Sequence, residues 1–183
     1  MAELIIGGAR SGKSTLAEQR ARDSGSSVVY VATARLDDGD MGERVAHHRA
    51  RRPPDWTTVE EPLALASALQ RLAAPSTCIL VDCLTLWLSN LFFAGRAGAQ
   101  AEAGEALDCP LLEAAVRDLV AVLPSLPGRI LLVSNEVGWG VVPANRLARL
   151  FADEQGRLNQ RVAAVSRRVT LTVAGLPLEL KGS

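Results

Sequence analysis

Directly after a short apolar run the chain reads "GGARSGKST", in which Gly7, Gly12, Lys13 and Ser14 satisfy the spacing G-x-x-x-x-G-K-[ST]. No other feature narrows the fold as far, because such a loop functions only where a strand delivers it and a helix carries the chain away. The glycines let the backbone curl so that several N–H groups point inward at phosphate oxygens, and the helix starting near Lys13 adds its positive dipole end. Lys13 is then expected to neutralise the outer phosphates. Ser14 is expected to ligate the magnesium ion (Mg2+) that accompanies a nucleoside triphosphate. The competing reading, a glycine turn with an incidental lysine, gives no reason for the strand before it and the helix after it.

The rest of the chain keeps the same rhythm. The runs "ELIIGG", "SVVYVATA", "TCILVDC" and "RILLVSNE" read as strands buried on both faces, as in parallel sheets. Helical spacing of Leu, Ala and Val follows Lys13 and recurs from Pro62 to Ala73, from Leu111 to Leu123 and from Pro143 to Arg168. An α/β fold with helices on both sides of the sheet is predicted. The tail "VTLTVAGLPLELK" turns around Gly175 and Pro177 and reads as a strand followed by an antiparallel edge strand. Residues Ala94 to Ala106 are small and polar without a clear period and read as a surface loop, with a lid over substrate as the alternative. At 183 residues, with neither an internal repeat nor a composition break, a single domain is expected.

Composition then excludes several classes of function. Twenty basic residues balance twenty acidic ones, which weighs against a nucleic-acid motor or an anionic-membrane binder. Cys78, Cys83 and Cys109 are odd in number and form no C-x-x-C, so reduced thiols are expected. The start of the chain lacks the basic flank and apolar core of a signal peptide. The stretch from Cys78 to Ala94 is too short and too interrupted for a membrane span. A cytoplasmic location is expected.

Asp82 closes the run "CILVD", the place where a second acidic partner for magnesium is expected; a cap on a helix beginning at "CLTLWL" is the lesser alternative, and the two roles can coexist. Both histidines, His47 and His48, stand together in "GERVAHHRARRPPDW" after the second strand. If Met41 to Arg51 is helical, an advance of about 100° per residue sets His48 beside the stripe of Met41 and Val45. His47 then falls with Glu43 and Arg51. A neutral imidazole can attack the α-phosphorus of a triphosphate and expel pyrophosphate, leaving a nucleotidyl-histidine. On spacing alone, a solvated basic helix is the more economical reading of this stretch.

Taken together and in order, "GGARSGKST", "VVYVATA", "DMGERVAHHRARRPPDWTTVEEP", "VDCLTLWLSNLF", "VSNEVGWGVVPANRLARLFADEQGRLNQRVA" and "VAGLPLELK" resemble a known family. It is the bifunctional adenosylcobinamide kinase/adenosylcobinamide-phosphate guanylyltransferase family of cobalamin biosynthesis. The resemblance implies a RecA-like P-loop fold and two reactions on one corrinoid. ATP or GTP first phosphorylates the aminopropanol hydroxyl of adenosylcobinamide. GTP then donates GMP to that phosphate through a guanylylated histidine, giving adenosylcobinamide-GDP and pyrophosphate. The family nucleophile matches His47. Its nucleotide contacts match Gly7, Gly8, Ala9, Arg10, Ser11, Gly12, Lys13 and Ser14, then Val31, Ala32 and Thr33, then His48, Arg49, Ala50 and Arg51, and lastly Glu60 and Asp82. Where members often read D-x-E-M, this chain has Asp38, Gly39, Asp40 and Met41. A homotrimer is implied by the same resemblance. For Asn135 and Glu136, substrate contact and turn chemistry are both open readings; Trp87 and Trp139 read as space-filling rather than stacked on a corrin.

Overall fold

The computed structural model describes residues 1–34, 53–106 and 108–182. In chain order the strands are β1 (Ala2–Gly7), β2 (Ser27–Ala32), β3 (Thr57–Glu60), β4 (Thr77–Asp82), β5 (Arg129–Asn135), β6 (Arg168–Val173) and β7 (Leu176–Lys181). The helices are α1 (Lys13–Arg22), α2 (Leu65–Leu72), α3 (Leu84–Ala94), α4 (Ala97–Ala103), α5 (Pro110–Val122) and α6 (Arg146–Val165). One seven-stranded sheet runs β3-β2-β4-β5-β1-β6-β7, parallel throughout except for the antiparallel β6–β7 pair. The mostly parallel sheet and its antiparallel last strand are as the sequence predicts.

Alternation along the central strands builds a core on each face. Leu4, Ile6, Ile79, Val81, Ile130 and Leu132 pack under helices α2, α3, α5 and α6, whereas Ile5, Leu80, Leu131 and Val133 meet Ala17 and Ala21 of α1. Helix starts follow local chemistry. Glu61 Oε1 accepts from Leu63 N and Ala64 N at 3.2 and 2.7 Å ahead of α2, and Asn145 Oδ1 accepts from Ala148 N at 2.7 Å to cap α6. The two-residue turn between β6 and β7 has positive φ at both Ala174 (51°) and Gly175 (79°), the backbone needed to reverse two twisted strands this tightly.

Two features depart from the sequence reading, at α4 and β3. The stretch from Ala94 to Ala106 is not a plain loop. It contains α4, with Ala97, Gly98, Gln100 and Ala101 buried. Alanine favours helix here, and the carbonyls that end α4 are held by Arg146, whose Nη1 donates to Gln100 O (3.3 Å) and Ala101 O (3.2 Å) and whose Nη2 donates to Glu105 O. Residues 84–94 do form the helix weighed at "CLTLWL", α3, apolar nearly all round because it is packed on several sides. The short edge strand β3 pairs with β2, although Thr57–Glu60 shows no apolar run. Among the described residues no helix is long and apolar enough to cross a membrane.

Candidate active site

Parallel register brings the carboxyl ends of five strands into one line. Gly7 lies opposite Asn135, Asp82 opposite Val133 and Ala32, and Ala32 opposite Glu60. The phosphate loop, Asp82 and the exposed Glu60 therefore share one edge of the sheet, where a ligand of an open α/β sheet is held. A cavity of about 400 Å³ at the opposite edge, lined by Met1, Glu3, Arg129 and Arg168 among others, is remote from this chemistry.

Within the loop, Arg10 (φ 56°) and Gly12 (φ 95°) take left-handed backbone, and this curl is what turns the amides inward. A Cβ on Gly7 would stand 2.5 Å from both Ser11 Oγ and Thr172 O, so only glycine fits where the loop leaves β1. The β6–β7 turn braces the loop from behind, with Gly175 N donating to Ser11 O at 2.8 Å. Ala9 and Arg10 are exposed, and a Cβ on Gly8 would meet nothing within 4 Å. Ser11 Oγ is buried with no hydrogen-bond partner among the described residues. No side chain caps α1, so the N–H groups of its first turn, which includes Ser14, are left for a ligand.

Lys13 is only 9% exposed, and its Nζ donates to Gly8 O at 3.1 Å, holding the ammonium over the loop. Burial lowers its pKa from the ordinary lysine value, while the neighbouring Cys83 and Asp82 act in the opposite sense. Asp82 Oδ2 accepts from Tyr30 OH at 2.9 Å, and Oδ1 has no hydrogen-bond partner among the described residues. Asp82 is not a helix cap, because the residue flanking α3 is Cys83 and no side chain caps that helix. Burial, reinforced by Asp82, pushes the Cys83 thiol up to about 11, so at neutral pH it is a thiol and no nucleophile.

Val31, Ala32 and Thr33 lie at the same edge, with their side chains packed inside. Thr33 acts as a lock between β2 and β4. Its Oγ1 donates to Cys83 O at 2.7 Å and accepts from Cys83 N at 2.9 Å, while its carbonyl accepts from Asn90 Nδ2 at 2.7 Å. His47, His48, Arg49, Ala50 and Arg51 lie outside the described residues, as do Asp38 to Met41 and the helix expected there.

The chain matches the cobinamide kinase / cobinamide phosphate guanyltransferase family over residues 3–180. The chain belongs to this family. It is 53% identical over 182 residues to the bifunctional adenosylcobalamin biosynthesis protein CobP of Pseudomonas aeruginosa, covering 100% of this chain and 98% of that one. To the CobU protein of the same description from Salmonella typhimurium it is 41% identical over 182 residues, covering 97% and 98%. Among solved structures it resembles an ATPase of a bacterial type III secretion system (TM-score 0.53, 14% identity) and the EscN ATPase of enteropathogenic E. coli (TM-score 0.54, 13% identity). Aligned over 97% and 94% of this chain, it spans 56% and 43% of those ATPases, and at such low identity the likeness speaks for the shared fold alone.

In this family member one group of residues escaped the sequence reading. Ser134 Oγ donates to Asn159 Oδ1 at 2.6 Å, and Gln155 Nε2 donates to Ser134 Oγ and Asn159 Oδ1 at 3.0 and 3.1 Å. Asn159 Nδ2 donates in turn to Asn135 O at 3.0 Å and Glu136 Oε1 at 2.7 Å. Gln155 and Asn159 occupy the buried face of α6 with Leu158 and Val162, and Ser134 reaches them from β5. The spacing alone makes that face look like an ordinary helix core stripe. The two tryptophans also part company. Trp87 fills space, fully buried, as read from the sequence; Trp139 does not, being 65% exposed.

Proposed function

We propose that this protein carries out both reactions named by its family: phosphorylation of adenosylcobinamide from ATP or GTP, then transfer of GMP from GTP to adenosylcobinamide-phosphate. The observation that carries the reading is the phosphate loop. Lys13 is held over it at 3.1 Å from Gly8 O, in a chain that matches the family along nearly its whole length. In the first reaction the substrate oxygen attacks the γ-phosphorus, and Lys13 with the α1 amides neutralises charge on the phosphate oxygens. Ser14 and Asp82 suit a magnesium ion, since a hydroxyl, a carboxylate with one unpartnered oxygen and the phosphate oxygens form the all-oxygen set that a hard cation prefers. When bound, the ion draws charge from the triphosphate.

For the second reaction the reading assigns His47 as the group that takes GMP from GTP, with release of pyrophosphate, and passes it to the corrinoid phosphate. Support comes from position in the chain: the histidine segment follows β2, whose last residue, Ala32, lies in register with Asp82. Cys83, the cysteine beside Asp82, is held as a neutral thiol and offers no rival nucleophile. We further assign nucleotide contacts to Gly7 through Ser14, Val31 through Thr33, His48 through Arg51, and Glu60. The Val31–Thr33 contacts run through backbone, because those side chains face inward. A cytoplasmic homotrimer of single-domain subunits completes the reading.

The test is incubation with GTP labelled at the α-phosphate. Wild type should acquire acid-labile label, and His47→Ala should lose both label and GMP transfer while it still phosphorylates cobinamide. An unlabelled wild type that remains an active kinase would reduce the protein to a kinase alone.

A further inference from the structure

We propose that Glu136 is the general base of the phosphorylation step, taking the proton from the corrinoid hydroxyl as it attacks. This rests on the kinase activity proposed above. Glu136 sits where β5 ends, and its backbone N–H donates to Gly7 O at 3.0 Å, so it is bonded directly to the residue that opens the phosphate loop. Its side chain is only partly buried, and Oε2 has no hydrogen-bond partner among the described residues.

The other oxygen is held in a fixed direction. Asn159 Oδ1 accepts from both Ser134 Oγ and Gln155 Nε2, which settles the orientation of the amide. Both Nδ2 hydrogens are then committed, one to Asn135 O and the other to Glu136 Oε1 at 2.7 Å. The donor on Oε1 fixes the direction of the carboxylate and leaves Oε2 as the oxygen open to a substrate proton. Asn159 is thus a positioning residue and Glu136 a catalytic one.

The surroundings indicate which substrate the free oxygen meets. Beyond Glu136 the chain turns apolar and outward: Val137 is 40% exposed, Trp139 65% and Val141 95%. Val137 helps to line a cavity of about 410 Å³ with Phe92, Phe93, Pro143, Leu147 and Phe151. Glu136 therefore stands on the seam between the phosphate loop and an apolar face that suits a large ring substrate, not a triphosphate. Asp82, by contrast, is tied to Tyr30 and acts electrostatically on Lys13, which fits a role toward the nucleotide and its cation.

In the step itself the corrinoid O–H loses its proton to Glu136 Oε2 while its oxygen forms a bond to the γ-phosphorus. The bond from that phosphorus to the bridging oxygen breaks, and its electron pair leaves with the nucleoside diphosphate. The proton returns to solvent when products depart.

Glu136→Gln keeps the shape and the acceptor for Asn159 but removes the base. With γ-labelled ATP and adenosylcobinamide, it is expected to lower phosphorylation about 100-fold. GMP transfer to pre-formed adenosylcobinamide-phosphate should fall far less, and formate should restore part of the kinase rate to Glu136→Ala. Phosphorylation within about threefold of wild type, or an equal loss of both reactions, would overturn the assignment. Failure of the underlying kinase reading shows separately, as a wild type that phosphorylates no cobinamide before any variant is made.

Discussion

Lys13→Ala is expected to lower phosphorylation of cobinamide by about 10²–10³-fold while leaving the melting temperature nearly unchanged. Lys13 is only 9% exposed, and its one hydrogen bond among the described residues, to Gly8 O, stays within the loop, so removing the ammonium empties a cation from the phosphate site without breaking a described link between elements. Lys13→Arg should not rescue the rate, because a planar guanidinium does not fit a site built for a compact charge. The pH dependence has a definite sign. Burial lowers the Lys13 pKa, so its charge is lost on the alkaline side at a lower pH than for an ordinary lysine. Negative charge at Asp82 works against that loss, so Asp82→Asn should move the alkaline limb of kcat/KM to still lower pH. A γ-labelled assay between about pH 7 and pH 10 reads both effects. An alanine variant that keeps a third of the wild-type rate would defeat the role given to Lys13.

The largest loss of stability is expected at Trp87. Its ring is fully buried in the core under α3, and its indole N–H donates to Leu63 O at 2.9 Å, just ahead of α2. Trp87→Ala should cost about 3–5 kcal/mol through the cavity it leaves. That is a large part of the roughly 5–15 kcal/mol that holds a typical domain together. Trp87→Phe restores much of the apolar contact but strands the Leu63 carbonyl, so a loss of about 1–3 kcal/mol is expected. Trp139→Ala, at a residue 65% exposed, should change stability by less than about 0.5 kcal/mol. Urea unfolding followed by circular dichroism, which does not depend on the removed fluorophore, separates the three. Equal effects at Trp87 and Trp139 would contradict the packing described above.

Some errors of the sequence reading share one cause. The stretch from Ala94 to Ala106 reads as a loop because small residues give no apolar period, yet α4 packs through its smallness and is closed by Arg146, more than forty positions away. β3 has no apolar run because it is a short edge strand, defined by its pairing with β2 and not by its own burial. Asp82 reads as a metal partner with a helix cap as the lesser alternative, since both roles suit a carboxylate between a strand and a helix. The structure speaks only to the cap, since α3 begins one residue later, after Cys83.

The sequence by itself determined the phosphate loop, the α/β alternation and family membership, because each depends on residues that are neighbours or that repeat at a fixed period. A loop that grips phosphate through consecutive amides needs only the order Gly7 to Ser14. Tertiary structure alone decided which side chains meet at the sheet edge. Glu136 becomes a held carboxylate only when folding sets Asn159 of α6 against the end of β5 and β5 against Gly7. Such contacts join residues far apart in the chain, and no local spacing encodes the distance between them.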